Sequence, residues 1–451
     1  MAAVVDNKRA ATGEAEDKTF EAKKAKTGAE LFASIGEAAA GWAVRHVPNQ
    51  LQAAPDAPYP AKDSVSVESA ADARAILTTW EGYEPTPLVD LKEVAELAGV
   101  ASVVAKDESG RFGTGSFKAL GGALAVADCQ AADANAVVAT ASAGNHGLGV
   151  AWGAKRAGCE SKIYLGRTVS DAIADKMRAL GADVVRVQGT YEEACEQAYN
   201  DCKNNGWHLI QDGSSEGYEA IPKRIHSGYS LLAAEMLEQL GGMDGEGVIS
   251  PDKLPTHVLS NCGVGGLAAG LGGYLWDTLK EHRPRFIAVE PTNADCCAIQ
   301  TQRDVYEADQ AAGGTGNVKP PSGEFGADGT IQVGLDCKEV SPLAWGVLKT
   351  GCNDFVAIGD EVCGPCLKLL ANGETPICAG ESAVAGLGVL LAAGQNPELK
   401  AKLGLDENSR VAVVICETAP NPPLYIKLTG EDPEDVKARR AAKDAATTVV
   451  A

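Results

Sequence analysis

The sequence predicts an α/β fold, on three observations. Short runs rich in β-branched residues alternate with Ala-rich or amphipathic stretches along most of the 451 residues, the pattern of parallel sheets covered by helices on both faces. The chain is long enough for two lobes. Its Gly-rich and polar segments fall just after the apolar runs, where open parallel sheets gather ligands. The runs at 102–106, 136–141, 162–165, 183–187, 207–210, 257–260, 285–289 and 410–415 read as strands. Helical patterns separate them at 147–157, 171–180, 192–203, 229–240, 267–280 and 383–392.

Composition narrows the function classes. A net charge of -21, from 40 basic and 61 acidic residues, opposes binding to nucleic acid and to anionic lipid. No run reaches the roughly 18 apolar residues that cross a bilayer, and the amino end lacks a hydrophobic signal core, so a cytoplasmic protein is expected. Thirteen cysteines, odd in number and irregularly spaced, read as reduced thiols, and no metal site is expected. Cys363-Gly364-Pro365-Cys366 has dithiol spacing, with packing as its plainer reading; adjacent Cys296 and Cys297 read as buried fillers. Residues 1–28, with little to bury, read as a disordered tail, and 431–451 as a tail or helix.

Along the chain the first chemical candidate is Lys118, where Gly113-Thr114-Gly115-Ser116-Phe117-Lys118 runs into an Ala-rich helix. The positive helix end and burial both disfavour an ammonium there, so the amine is expected to deprotonate readily and to condense with an aldehyde. Ser142-Ala143-Gly144-Asn145-His146 follows the strand ending at Ala141, and Asn145 alone reads most simply as a turn residue. Asp212 follows the strand ending at Ile210, a usual place for a helix cap. Gly263-Val264-Gly265-Gly266 bares backbone N–H groups at a helix start, a cradle for phosphate. Together with Glu290 it also leaves a nicotinamide-dependent oxidoreductase open. Cys416 and Thr418 end the last strand, and Glu417 between them reads as solvent-facing or packed at the crevice rim.

Ser116-Phe117-Lys118 after Lys106-Asp107-Glu108-Ser109 resembles the cofactor-lysine segment of fold-type II pyridoxal-phosphate enzymes, the group that contains threonine/serine dehydratases and tryptophan synthase β-like folds. The chain is most similar to diaminopropionate ammonia-lyases. Tyr83-Glu84-Pro85-Thr86-Pro87-Leu88, Gly144-Asn145-His146-Gly147, Gly217-Tyr218-Glu219-Ala220-Ile221-Pro222, Gly334-Leu335-Asp336-Cys337 and Gly380-Glu381-Ser382 carry the likeness.

The resemblance implies two lobes, a large one from residues 60–119 and 226–430 and a small mobile one from 120–225, with pyridoxal 5'-phosphate between them. It implies that Lys118 holds the cofactor as an imine and serves as the base at the α-carbon. Phe117 would flank the cofactor, Asn145 would meet its ring hydroxyl, and Gly263, Val264, Gly265, Gly266 and Leu267 its phosphate. Cys416 or Thr418 would meet its ring nitrogen. Ser142, Ala143, Gly144 and His146 would line the amino-acid substrate's place, although His146 also reads as a structural residue at a helix start. Asp212 would bind or protonate the leaving group.

One departure bears on specificity. Ala143 stands where similar ammonia-lyases carry an aspartate associated with the D-enantiomer, so a second base is missing and L-substrates are expected. The reaction implied is α,β-elimination from 2,3-diaminopropionate or a related amino acid to an α-keto acid and ammonia. L-serine/L-threonine dehydration is the alternative, a non-catalytic descendant a remoter one, and the family suggests a homodimer.

Overall fold

The computed structural model describes residues 28–314, 318–321 and 329–450. Of the expected tail, residues 1–27 lie outside the described residues, and Gly28 opens the helix Gly28–Ala39. Residues 315–317 and 322–328 also lie outside them.

Eleven strands are present among the described residues: β1 (Val44–Pro48), β2 (Leu88–Asp90), β3 (Ser102–Asp107), β4 (Val137–Ala141), β5 (Glu160–Leu165), β6 (Asp183–Arg186), β7 (His208–Leu209), β8 (His257–Asn261), β9 (Arg285–Pro291), β10 (Asp354–Ile358) and β11 (Arg410–Ile415). They form a seven-stranded sheet in the order β1-β10-β9-β8-β11-β3-β2 and a four-stranded sheet in the order β6-β5-β4-β7. The five inner strands of the larger sheet run parallel, and β1 and β2 close its edges antiparallel. The smaller sheet is parallel throughout.

Inner strands such as β8 and β11 are buried along nearly their whole length, which is why they read as continuous apolar runs. The helix Ala385–Gln395, buried from Ala385 to Ala393, packs across β8, β9, β10 and β11. The helix Gly266–Leu279 packs on β8 and on Ala220–Gln239, which in turn packs on Lys118–Ala132.

In the smaller sheet the period of two sorts residues cleanly. Tyr164 joins Ala139 and Ala141 in one cluster, against Ala194, Ala198 and Cys202 of the helix Tyr191–Asn205, while Ile163 and Leu165 enter the other. That helix starts where Thr190 and Glu193 cap each other's backbone N–H groups, a capping box.

All eight expected strands are present. The parallel alternation puts the ends of β3, β4, β7, β8 and β11 on the segments that carry the candidate chemistry. The carboxyl end reads as the helix Pro433–Val450.

Candidate functional site

Lys118 is the first residue of the helix Lys118–Ala132, and the loop before it is fastened to the end of β11. Phe117 N donates to Cys416 O at 3.2 Å and Thr418 N to Gly115 O at 2.8 Å, and Ser116 bridges Glu417 antiparallel. A buried charge network supports the loop from β3. Lys106 Nζ donates to Glu235 Oε2 at 2.6 Å, and Arg111 joins Glu108 and Glu235 at 2.7 and 2.8 Å. Fully buried charges persist only when paired in this way.

Lys118 Nζ hydrogen-bonds Asp212 Oδ2 and lies 5.3 Å from the centre of the Phe117 ring and 5.8 Å from that of Tyr229. This corrects the expected electrostatics. Burial does disfavour the ammonium, but the Asp212 carboxylate outweighs it and holds the amine's pKa above its ordinary value. Burial likewise works against the Asp212 carboxylate, and the ammonium beside it keeps that group below the usual carboxylate range.

His146 Nε2 lies 2.8 Å from the Ile210 carbonyl, so it carries the proton and donates. Burial depresses its pKa, leaving Nδ1 as a bare acceptor 3.9 Å from Asp212 Oδ2. Lys118, Asp212 and His146 are thus one cluster, built from the ends of β3, β7 and β4.

Asn145 opens the helix Asn145–Ala157 and donates to Glu417 Oε2 at 2.5 Å. Of the two readings offered for Glu417, burial at 4 % exposure removes the solvent-facing one. Burial, with Glu381 nearby, pushes its carboxyl up to about 7. Its other oxygen accepts from Ser382 N at 3.2 Å. Gly380 makes this approach feasible, because a Cβ there would lie 2.6 Å from Glu417 Oε1. Gly380 lies 37 residues from Glu417, so no local sequence signal marks the pairing. Ser142 Oγ accepts from Gly144 N at 3.3 Å, and Ala143 is partly buried between them.

Cys416 Sγ is occupied, donating to Ser382 O and accepting from Asn261 Nδ2, each at 3.6 Å. Thr418 Oγ1 is buried without a hydrogen-bond partner. The Cys363 and Cys366 thiols are fully buried and burial pushes both up, which is the packing outcome, since a reactive thiol needs the opposite shift.

The donor set fits pyridoxal phosphate. Gly263 to Leu267 lead into the amino end of the helix Gly266–Leu279, where free N–H groups and the helix dipole favour a phosphate. Gly265 has φ +99, and a Cβ there would lie 2.9 Å from Ala344 Cβ, so the turn requires glycine. Three buried polar atoms of these residues and their neighbours have no partner: Thr418 Oγ1 after β11, His146 Nδ1 beside Asp212, and His226 Nε2, which lies 3.4 Å from where a Gly266 Cβ would be.

The profile described as "Pyridoxal-phosphate dependent enzyme" matches residues 79–417. The diaminopropionate ammonia-lyase of Escherichia coli strain K12 is 35% identical over 360 residues, covering 74% of this chain and 85% of that protein. That of Salmonella typhimurium strain LT2 is 32% identical over 372 residues, covering 76% and 87%. The crystal structure of the E. coli enzyme in complex with an aminoacrylate-PLP azomethine reaction intermediate superposes with a TM-score of 0.72 at 32% identity, covering 86% of this chain and 97% of that one. The cofactor is pyridoxal 5'-phosphate, the nicotinamide alternative falls away, and the chain belongs to the fold-type II family of pyridoxal-phosphate-dependent enzymes that includes the diaminopropionate ammonia-lyases.

Proposed function

We propose that this protein is an ammonia-lyase that removes the β-amino group of 2,3-diaminopropionate, yielding pyruvate and ammonia. The observation that carries the reading is the Lys118–Asp212 pair, a proton donor and a proton acceptor held together in one cleft. The bound cofactor supplies an electron sink that makes the α-proton removable.

The chain's own residues do the rest. Lys118 Nζ would hold the cofactor and, as a neutral amine, would be the base for the substrate's α-proton. Asp212, hydrogen-bonded to that nitrogen, is placed to accept its proton beforehand. In its carboxylate form Asp212 attracts the substrate's β-ammonium, which departs as ammonia with no further proton; a neutral β-amine would instead take the proton that Asp212 had received from Lys118. Ser142 and the backbone of Ala143 and Gly144 hold the substrate carboxylate. Asn145, tethered by Glu417, orients the cofactor ring, with Phe117 flanking it. Gly263, Val264, Gly265, Gly266 and Leu267 anchor the phosphate. Of the two candidates for the ring nitrogen, the unpartnered hydroxyl of Thr418 supports that residue over Cys416. A hydroxyl leaves the ring a weaker electron store, which favours prompt elimination.

Ala143 supports a preference for the L-enantiomer, because a methyl group takes no proton. It also supports L-serine or L-threonine dehydration as the second reading, since the loop carries no acid of its own. Among the described residues no helix is long and apolar enough to cross a membrane. The thirteen unpaired thiols support a reducing compartment, the cytoplasm, and we take the assembly to be a homodimer with residues 120–225 as its mobile lobe. α-Keto acid and ammonia release from L- and D-2,3-diaminopropionate, L-serine and L-threonine tests the reading. Fastest turnover of L-diaminopropionate is expected, and turnover of the hydroxy amino acids alone would replace it with dehydration.

A further inference from the structure

Cys262, Glu290 and Cys297 come from three separate segments and meet directly behind the Gly263 turn. Cys262 follows β8, Glu290 lies on β9, and Cys297 is the second residue of the helix Cys296–Ala311. Their exposures are 1%, 0% and 0%. Cys262 Sγ lies 3.6 Å from Cys297 Sγ, and one carboxylate oxygen of Glu290 lies within 4.8 Å of both sulfurs. Two thiolates bound tetrahedrally at about 2.3 Å from zinc stand ~3.8 Å apart. The sulfurs therefore already span the edge of such a site.

We propose that Cys262, Cys297 and Glu290 bind one thiophilic divalent cation of the zinc(II) class, which ties the base of the Gly263 turn to β9 and to the helix Cys296–Ala311. Each thiol loses its proton to solvent on binding, so two thiolates and a carboxylate meet a doubly charged ion and the site keeps one net negative charge. The helix amino end offsets that charge. Its Cys297 and Ala298 N–H groups already donate to Glu290, at 2.7 and 2.9 Å. Cys296, next in the chain, donates its thiol to Gly263 O at 3.5 Å and is not one of the three ligands. Cys297 looked like a filler in the sequence because Cys262 lies 35 residues before it.

The test loads the holoenzyme with zinc(II), passes it over a desalting column, and counts metal per chain. One equivalent is expected in the native protein and in Cys202→Ser, a buried cysteine of the smaller sheet's core, with loss of at least tenfold in retained zinc in Cys262→Ser and Glu290→Gln. X-ray absorption on native protein needs no variant and should find at least two sulfur neighbours at about 2.3 Å. No retained zinc, retention unaffected by both variants, a shell of nitrogen and oxygen only, or a Cys262–Cys297 disulfide by peptide mapping would each overturn the proposal.

Discussion

Lys118 Nζ donates a hydrogen bond to Asp212 Oδ2 across the cleft between the start of one helix and the end of β7. Each group holds the other ionised, and burial opposes both. The pair therefore stores a proton where the proposed elimination needs one moved, from the α-carbon side to the leaving amine.

Asp212→Asn removes the charge that holds the Lys118 amine up and leaves burial to lower it. Reconstitution of the apoprotein with pyridoxal phosphate at neutral pH should become faster, while kcat falls by about 10²–10⁴, the usual worth of an acid–base group. Stopped-flow absorbance and steady-state assays give the two readouts. Unchanged kcat would remove Asp212 from the proton path.

Glu417→Gln keeps the acceptor for Asn145 and abolishes a titration. The Glu417 carboxyl is raised from 4.5 to about 7, so the folded state holds its proton longer than the unfolded state does. Between those values the native protein loses stability as pH rises, and the variant lacks that loss. The stability of Glu417→Gln relative to the native protein should thus grow by about 3 kcal/mol at most from pH 4.5 to 7. Urea unfolding across that range measures it, and a pH-independent difference would contradict the assignment.

Gly265→Ala places a Cβ 2.9 Å from Ala344 at φ +99. A cost of about 1–3 kcal/mol is expected, with pyridoxal phosphate affinity reduced at least tenfold in a fluorescence titration. Native affinity would mean that the turn is not the phosphate cradle.

Ala143→Asp supplies the carboxylate that the loop lacks. The ratio of kcat/KM for D- over L-diaminopropionate should rise at least tenfold, chiefly through the D-substrate. An unchanged ratio would show that enantiomer choice is set elsewhere.

The fold was legible where burial on both faces made continuous apolar runs, as at β8, β9 and β11. It was not legible at β10, whose first residue is Asp354. That carboxylate is fully buried because His46 and Arg285 from the two neighbouring strands bind it, at 2.7 Å each, and an isolated acid hid the strand. β2 has three residues and β1 is an edge strand of mixed burial, so neither presents enough periodicity. Lys118 and Asp212 were readable because each ends a loop after a strand. Their mutual ionisation was not, since it depends on a pairing across 94 residues. For Glu417 the sequence left solvent exposure and packing at the crevice rim both open, because an acid between Cys416 and Thr418 fits either; its burial follows from contacts with Asn145 and Ser382 that no local pattern shows.

The most direct measurement is the mass of the Lys118 peptide after borohydride reduction of the reconstituted enzyme. A pyridoxyl phosphate group on the Lys118 Nζ, with none on the other lysines, is the predicted result. An unmodified Lys118 in fully reconstituted, active protein would contradict the assignment of that lysine and every role built around it.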